Sequence, residues 1–376
     1  MSMKTSEQYV ESLRDGRALY MNGRKIEDVT EAPEFEVPIA YASRDYDYSD
    51  RPDLRTYPLN GNERANRLFQ IPATKEQLDL RIELLRNVSI ISGTVSGLFA
   101  LLNVRDVIGQ ANASYAENIQ RLYEHCRDND LRIAEVITDA KGDRGRKPLD
   151  QDDPDLYLRV VERRDDGIVV RGAKLHITGA ALVHELVVLP TKSMSERESD
   201  YAVAFSVPVN TPGVKIINRN YAEPGRSVFD YPISAKHNMP EGFVIFDDVF
   251  VPWDRVFLCG EHAYAGAFAN ALGLWERVGG LIAMVDGAKT MVGIAQLLAE
   301  YNGIVGASHV VDKITELIFH AEILKMALQC AIENYETTPS GMVYPNPLNV
   351  NVGKFHGASN YHSMVRRLHD LCGGQV

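Results

Sequence analysis

The chain has 376 residues, 45% of them apolar and 24% charged, which suits one to three domains with a sizeable core and not a disordered segment. Its formal net charge of −11, from 40 basic and 51 acidic side chains, excludes the basic footprint of a nucleic-acid binder and a polybasic membrane surface. Cys126, Cys259, Cys330 and Cys372 form no CxxC pair, Met1 to Arg14 lacks the apolar core of a secretory signal, and no apolar run reaches the ~20 residues of a membrane span, so a cytoplasmic protein without disulfides is expected.

Thr5 to Arg14 reads as a short opening helix capped by Thr5 or Ser6. Residues 23–60, rich in Pro, Tyr and Asp, read as an extended surface segment. Thr74 to Arg86 and Ser89 to Val107 carry Leu, Ile and Val at helical spacing, and Ala111 to Val136 continues that period. Near 148 the period changes. Asp155 to Val161 alternates, Arg164-Asp-Asp-Gly marks a turn, and Ile168 to Leu175 follows as a second strand. Leu186 to Pro190, Tyr201 to Val207, Val214 to Ile217 and Phe243 to Phe246 are further short β runs, so a β-sandwich or small barrel is expected, ending near Trp253. From 262 the helical period returns, in Trp275 to Tyr301, in Ser308 to Tyr335 with Ser308 as cap, and in 349–371 after a proline-rich break.

The expected layout is α+β: an N-terminal helical domain over 1–147, a middle β domain over 148–261 and an antiparallel helical bundle over 262–376. A bundle of three helices leaves an apolar face uncovered. The sequence therefore reads as an incomplete bundle, or as one that relies on partner subunits.

No Walker motif, GxGxxG, GxSxG or HExxH occurs, which leaves a nicotinamide-binding Rossmann domain unsupported. Gly279-Gly280 lies inside a helical pattern, where close helix packing explains it. Two clusters carry chemistry. In Thr138 to Pro148, Lys141, Arg144, Arg146 and Lys147 surround a glycine-containing turn; such a turn can hold a pyrophosphate, and a solvated connector has the same composition. In Lys174 to Gly179, His176 and Thr178 alternate with Leu175 and Ile177 and so share one strand face. If that face meets a cofactor, Thr178 can hydrogen-bond a flavin edge; a sheet-edge threonine beside a surface histidine reads the same way. His320 and Glu322 are not spaced to stand side by side, and no metal site is indicated.

Longer blocks carry a resemblance. Lys141-Gly-Asp-Arg, the run from Asp153 to Gly179, Phe246 to Glu261, Glu7 to Arg17 and Glu300 to Lys313 resemble the family that joins 4-hydroxyphenylacetate 3-monooxygenases with 4-hydroxybutyryl-CoA dehydratases. The resemblance covers essentially the whole chain. It implies an acyl-CoA-dehydrogenase-like fold, a homotetramer, and FAD lying between the β domain and the helices. It makes Lys141, Asp143, Arg144, Lys147, Thr178 and Gly179 the expected cofactor-binding residues. The family continues about a hundred residues past the Gly373-Gly374 motif, so by this resemblance the chain looks truncated.

The blocks are closer to the dehydratase branch, yet its iron–sulfur ligands are missing. Ser92 to Leu101 holds no cysteine, and Leu274 and Leu281 stand where a histidine and a cysteine should flank Gly279-Gly280. No iron–sulfur cluster is expected. The hydroxylase pattern is also altered: Gly97, Leu101 and Glu135 take the places of its arginine, tyrosine and histidine, with Arg105, Asp106 and Tyr115 nearby. Glu135, His176 and Arg105 are the catalytic candidates. The first reading is a flavin-dependent monooxygenase that takes FADH2 from a separate flavin reductase and hydroxylates a phenol. The second is an FAD enzyme acting on an acyl-CoA thioester, where proton abstraction needs a carboxylate or histidine base. A non-catalytic family member is the third.

Overall fold

Thr5 closes a capping box at the start of α1 (Ser6–Ser12): its hydroxyl accepts from the Gln8 N–H at 3.2 Å, and the Gln8 side chain accepts from the Thr5 N–H at 2.9 Å. The computed structural model describes residues 3–60, 63–219, 225 and 227–373. The expected extended surface segment at 23–60 is corrected. After β1 (Leu19–Met21) and β2 (Arg24–Ile26) come α2 (Glu36–Ser43), α3 (Pro52–Arg55) and a hairpin of β3 (Thr56–Asn60) and β4 (Glu63–Asn66). Phe35, Ile39 and Tyr46 are buried there. Elements of one or two turns are too short to show a period, so only tertiary contacts reveal them: Tyr46 stacks on Tyr9 at 4.6 Å and lies 4.1 Å from the buried Arg132 guanidinium.

Helix α4 (Lys75–Leu85) is capped by Thr74. The single helix expected over Ser89 to Val107 is two, α5 (Ile90–Gly93) and α6 (Ser96–Ala111). At the break the Thr94 hydroxyl donates to the carbonyls of Ile91 and Ile133, each at 2.8 Å. Helix α7 (Ala113–Asp128) does not run on to Val136. Asp130 turns the chain at φ +48°, and Ile133–Val136 is a strand, β5. A buried parallel strand and the end of an apolar helix look alike in sequence, because neither alternates.

The strands β6 (Arg159–Arg163), β7 (Gly167–Thr178), β8 (Glu185–Val188), β9 (Val203–Pro208), β10 (Val214–Arg219), β11 (Glu241–Pro252) and β12 (Val256–Cys259) complete two sheets. One is ordered β2-β1-β10-β11-β7-β6 and the other β12-β9-β8-β5. The pairs β1–β10 and β5–β8 are parallel; the rest are antiparallel. Phe205 of β9 meets Phe246 of β11 edge to face at 5.8 Å, both fully buried, and each such ring contributes roughly 1.5–3 kcal/mol. All four residues of β8 are buried, as a strand covered on both faces requires.

Helices α8 (Ala265–Tyr301) and α9 (Ser308–Glu333), the short pair β13 (Glu336–Thr337) and β14 (Val343–Tyr344), and α10 (Pro347–Leu371) follow. The chain divides into two units, Met1–Gln70 with Asn87–Leu272, and Ile71–Arg86 with Gly273–Val376. In the second, α9 and α10 run antiparallel, with Lys313 paired to Asp370 at 2.8 Å. Ala295, Ala299, Val310, Leu317, Met364 and Leu371 form its core. Ser308 is not the cap of α9; Ala307 is, without a side-chain bond. By length and composition Ile90–Ala111 and His262–Tyr301 could cross a bilayer, contrary to the reading of the sequence. In the first, 67% of the apolar window is buried in the protein, so its hydropathy belongs to a core; in the second the share is 28%.

Candidate active site

Three segments of the first unit meet near the end of β5. Glu135 sits on β5 in register with Val187 of β8, between the buried Ala134 and Val136. It is therefore a strand residue and not the helix-end residue that the periodicity implied. Its side chain turns toward the first turn of α6. A Cβ placed on Gly97 would lie 2.8 Å from Glu135 Cγ and 3.2 Å from Oε1. The helix can bring this backbone close only because position 97 has no side chain. A carboxylate beside the first turn of a 16-residue helix also meets the positive end of its dipole.

Arg105 is not brought to Glu135. It lies two turns further along α6, about 12 Å down the helix axis. Its guanidinium donates to Gln120 Oε1 at 2.5 Å, bracing α6 against α7. Tyr115, near it in sequence, donates to Glu261 Oε1 at 3.2 Å; burial first, and that carboxylate second, push its hydroxyl above the ordinary range.

The cationic turn follows β5. Lys141 and Gly142 both have positive φ, +68° and +47°, so the backbone there holds a conformation that costs a non-glycine residue roughly 1–2 kcal/mol. Gln151 holds it. Its Oε1 accepts from the Asp143 N–H at 3.0 Å, and its Nε2 donates to the carbonyls of Asp143 at 2.8 Å and Arg146 at 3.2 Å. Asp143 accepts from the Gly145 N–H at 2.8 Å and pairs with Arg146, which also pairs with Asp152 at 2.6 Å. Asp143 is thus an internal brace, and Arg146 is already neutralised. Among the described residues Lys141, Arg144 and Lys147 form no ion pair; Lys141 is half-buried, the other two exposed.

The third segment is the end of β7. The Leu175 N–H donates to the Thr138 carbonyl at 2.8 Å, so β7 touches the base of the cationic turn, and Thr178 stands about 10 Å further along the strand. His176 is exposed and has φ +59°, in the stretch where the β7–β11 register shifts. The simple alternation read from the sequence is interrupted there by a bulge. The Thr178 hydroxyl donates to Glu241 Oε1 at 2.7 Å, across the register pair with β11. Glu241 Oε2 is buried and has no hydrogen-bond partner among the described residues. Gly179 has φ +68°, and a Cβ there would collide with Ile91 Cδ1 of α5. Glu241 and Gln151 had no signal in the sequence, because their partners lie across the sheet or across the turn.

This donor set fits FAD. Three cations with no ion pair among the described residues, on a braced turn, suit a pyrophosphate, and a Thr–Glu pair with one buried oxygen uncommitted among those residues suits the polar edge of a ring.

The fold is that of the acyl-CoA dehydrogenases: butyryl-CoA dehydrogenase from Megasphaera elsdenii matches with a TM-score of 0.54 over 80% of this chain and 72% of that one, at 15% identity. The chain belongs to the 4-hydroxyphenylacetate 3-hydroxylase family, whose N-terminal profile matches residues 5–258 and whose C-terminal profile matches residues 265–376. It is 33% identical to 4-hydroxybutyryl-CoA dehydratase/vinylacetyl-CoA-Δ-isomerase from Clostridium aminobutyricum, over 99% of this chain and 79% of that protein. The crystal structure of the oxygenase component of 4-hydroxyphenylacetate 3-monooxygenase complexed with FAD matches with a TM-score of 0.82 and 28% identity, over 98% of this chain and 78% of that one.

Proposed function

We propose that the protein is the oxygenase component of a two-component flavin monooxygenase that hydroxylates a phenol or related aromatic, taking FADH2 from a separate reductase. The observation that carries this reading is the braced turn whose cations Lys141, Arg144 and Lys147 form no ion pair among the described residues, at the base of the strand that ends in Thr178. The likeness to an FAD-complexed oxygenase supports it. Bound reduced FAD supplies two electrons, with which one atom of O2 enters the ring and the other leaves as water.

The chain's residues then divide the work. Lys141, Arg144 and Lys147 bind the pyrophosphate, while Asp143 keeps the turn in shape. Thr178 and Gly179 meet the ring edge, with Glu241 fixing the Thr178 hydroxyl. Glu135 accepts the proton of the phenol hydroxyl, which raises electron density at the ring carbon that is oxidised. His176, exposed beside Thr178, orients the substrate. Arg105 holds α6 to α7.

A second reading rests on the 33% identity with the dehydratase. Glu135 would then take a proton beside an acyl-CoA thioester carbonyl. Leu281, at the position where the family resemblance implies a cluster ligand, is fully buried beside Gly353 and offers no ligand atom. We favour a homotetramer, supported by exposed apolar side chains on the last helices, Tyr301, Phe319 and Phe355 among them. Four free thiols support a cytoplasmic location.

Anaerobic titration with FADH2, followed by 4-hydroxyphenylacetate or a CoA ester, tests the choice. The monooxygenase reading expects tight FADH2 binding and a spectrum perturbed by the phenol. A spectrum perturbed by the CoA ester alone would transfer the case to the second reading.

A further inference from the structure

The segment Ile137 to Asp139 leaves β5 behind Glu135 and leads into the cationic turn. It is held to β7 by the Leu175 N–H bond to the Thr138 carbonyl and a backbone bridge between Asp139 and Lys174, and from below by the Lys174 side chain. Lys174 Nζ lies 2.7 Å from Asp139 Oδ1 and donates to the carbonyls of Ile137 at 2.8 Å and Leu189 at 3.1 Å. An ammonium has three protons, and all three have an acceptor. Asp139 is held from its other side by the Thr191 hydroxyl, which donates to Oδ2. Both side chains are almost wholly inaccessible, at 3% each.

A buried ion pair is weak evidence for stability, because the desolvation of both charges offsets their attraction. Part of its role is structural, because the ammonium also satisfies two backbone carbonyls. What this pair does beyond packing is geometric. Lys174 is on β7, four residues before Thr178, and Asp139 is two residues before Lys141. The pair therefore joins the two halves of the site, the turn with its cations and the strand end with Thr178 and Gly179. The turn itself contains two successive residues at positive φ, a shape that persists only while its ends are fixed. Gln151 fixes the far end, and Asp139 the near end.

We propose that the buried Lys174–Asp139 pair is a positioning clamp, which holds Lys141, Arg144 and Lys147 at the spacing from Thr178 that one FAD molecule spans. This rests on the flavin reading above. Lys174 and Asp139 are positioning residues; they act through the turn and touch no cofactor. Preorganisation of this kind appears in affinity, because an unfixed turn must be ordered each time the cofactor binds.

The test is the double variant Lys174→Met with Asp139→Asn, which removes both charges and leaves no buried ion unpaired. FAD affinity is measured by calorimetry, and backbone amide exchange across the whole chain is measured without cofactor. The expected result is a folded protein whose FAD affinity falls about tenfold or more, with faster exchange confined to residues 139–147. Thr191→Val, which removes only the bond to Asp139, gives the same pattern more weakly and serves if the double variant does not fold. Unchanged affinity in a folded variant, or faster exchange spread evenly over the chain, overturns the clamp. A wild-type protein that binds no FAD overturns the flavin reading itself, and the clamp with it.

Discussion

Glu135 and Gly97 share one space: the Glu135 Cγ lies 2.8 Å from where a Cβ on residue 97 would stand. Strand β5 and helix α6 can approach this closely only while one position carries a long side chain and the other carries none. The carboxylate is thereby fixed in the first unit at the point where β5 leads into the cationic turn.

Gly97→Ala tests that fit. In an open helix the change would gain about 1 kcal/mol from propensity. Here the methyl group overpacks against Glu135, and a net loss of about 1–3 kcal/mol is expected. Combining it with Glu135→Ala should restore stability. Urea unfolding of the four proteins in a double-mutant cycle gives the coupling, expected at about 1–2 kcal/mol.

Glu135→Gln keeps the shape and removes the charge. Product formation should fall by about 10²-fold or more, the usual loss for a general base, while FAD affinity is unchanged. Single-turnover hydroxylation with saturating FADH2 measures the first, and calorimetry the second. A variant as fast as the wild type would remove Glu135 from the mechanism.

Arg144 and Arg146 separate cofactor contact from turn support. Arg144→Ala, which takes away an exposed cation, should weaken FAD binding by about 10–100-fold, and more at low salt than at high. Arg146 is already paired with Asp143 and Asp152, so Arg146→Ala should cost clearly less affinity. Fluorescence titration at two ionic strengths distinguishes them.

How much of this was legible in the sequence varies with the kind of contact. The cap at Thr5, the strand ending in Thr178 and the long C-terminal helices follow from local rules, since their period is set within a few positions, although the cap of α9 falls at Ala307 and not at Ser308. The short helices at 23–60 and the strand at Ile133–Val136 did not, because their shape is imposed by distant partners such as Tyr9 and β8. In the site the same division holds. The cations of the turn are visible in the sequence. That Arg146 is spent on Asp152, that Glu241 accepts the hydrogen bond of the Thr178 hydroxyl, and that Lys174 lies under the turn are all long-range or conformational facts.

In the second unit, His320 is buried, with Nδ1 3.2 Å from His356 Nε2. Burial first, and the neighbouring His356 second, hold its pKa below the ordinary 6.5. In the unfolded chain it takes up a proton as pH falls through 6.5; in the folded protein it resists. Its stabilising effect is therefore complete above pH 6.5 and is lost as the pH falls below that value toward the folded pKa. Melting temperatures from pH 7.5 to 5.5 should decline, and His320→Gln should flatten that decline.

The central claim is that this chain hydroxylates a phenol with FADH2. Purified protein, a flavin reductase, NADH, FAD and O2 are combined with 4-hydroxyphenylacetate and a panel of phenols, and products are identified by mass spectrometry with 18O2. The account predicts one 18O atom in a ring hydroxyl of at least one phenol. FADH2 bound by the protein with no labelled product from any phenol would contradict it.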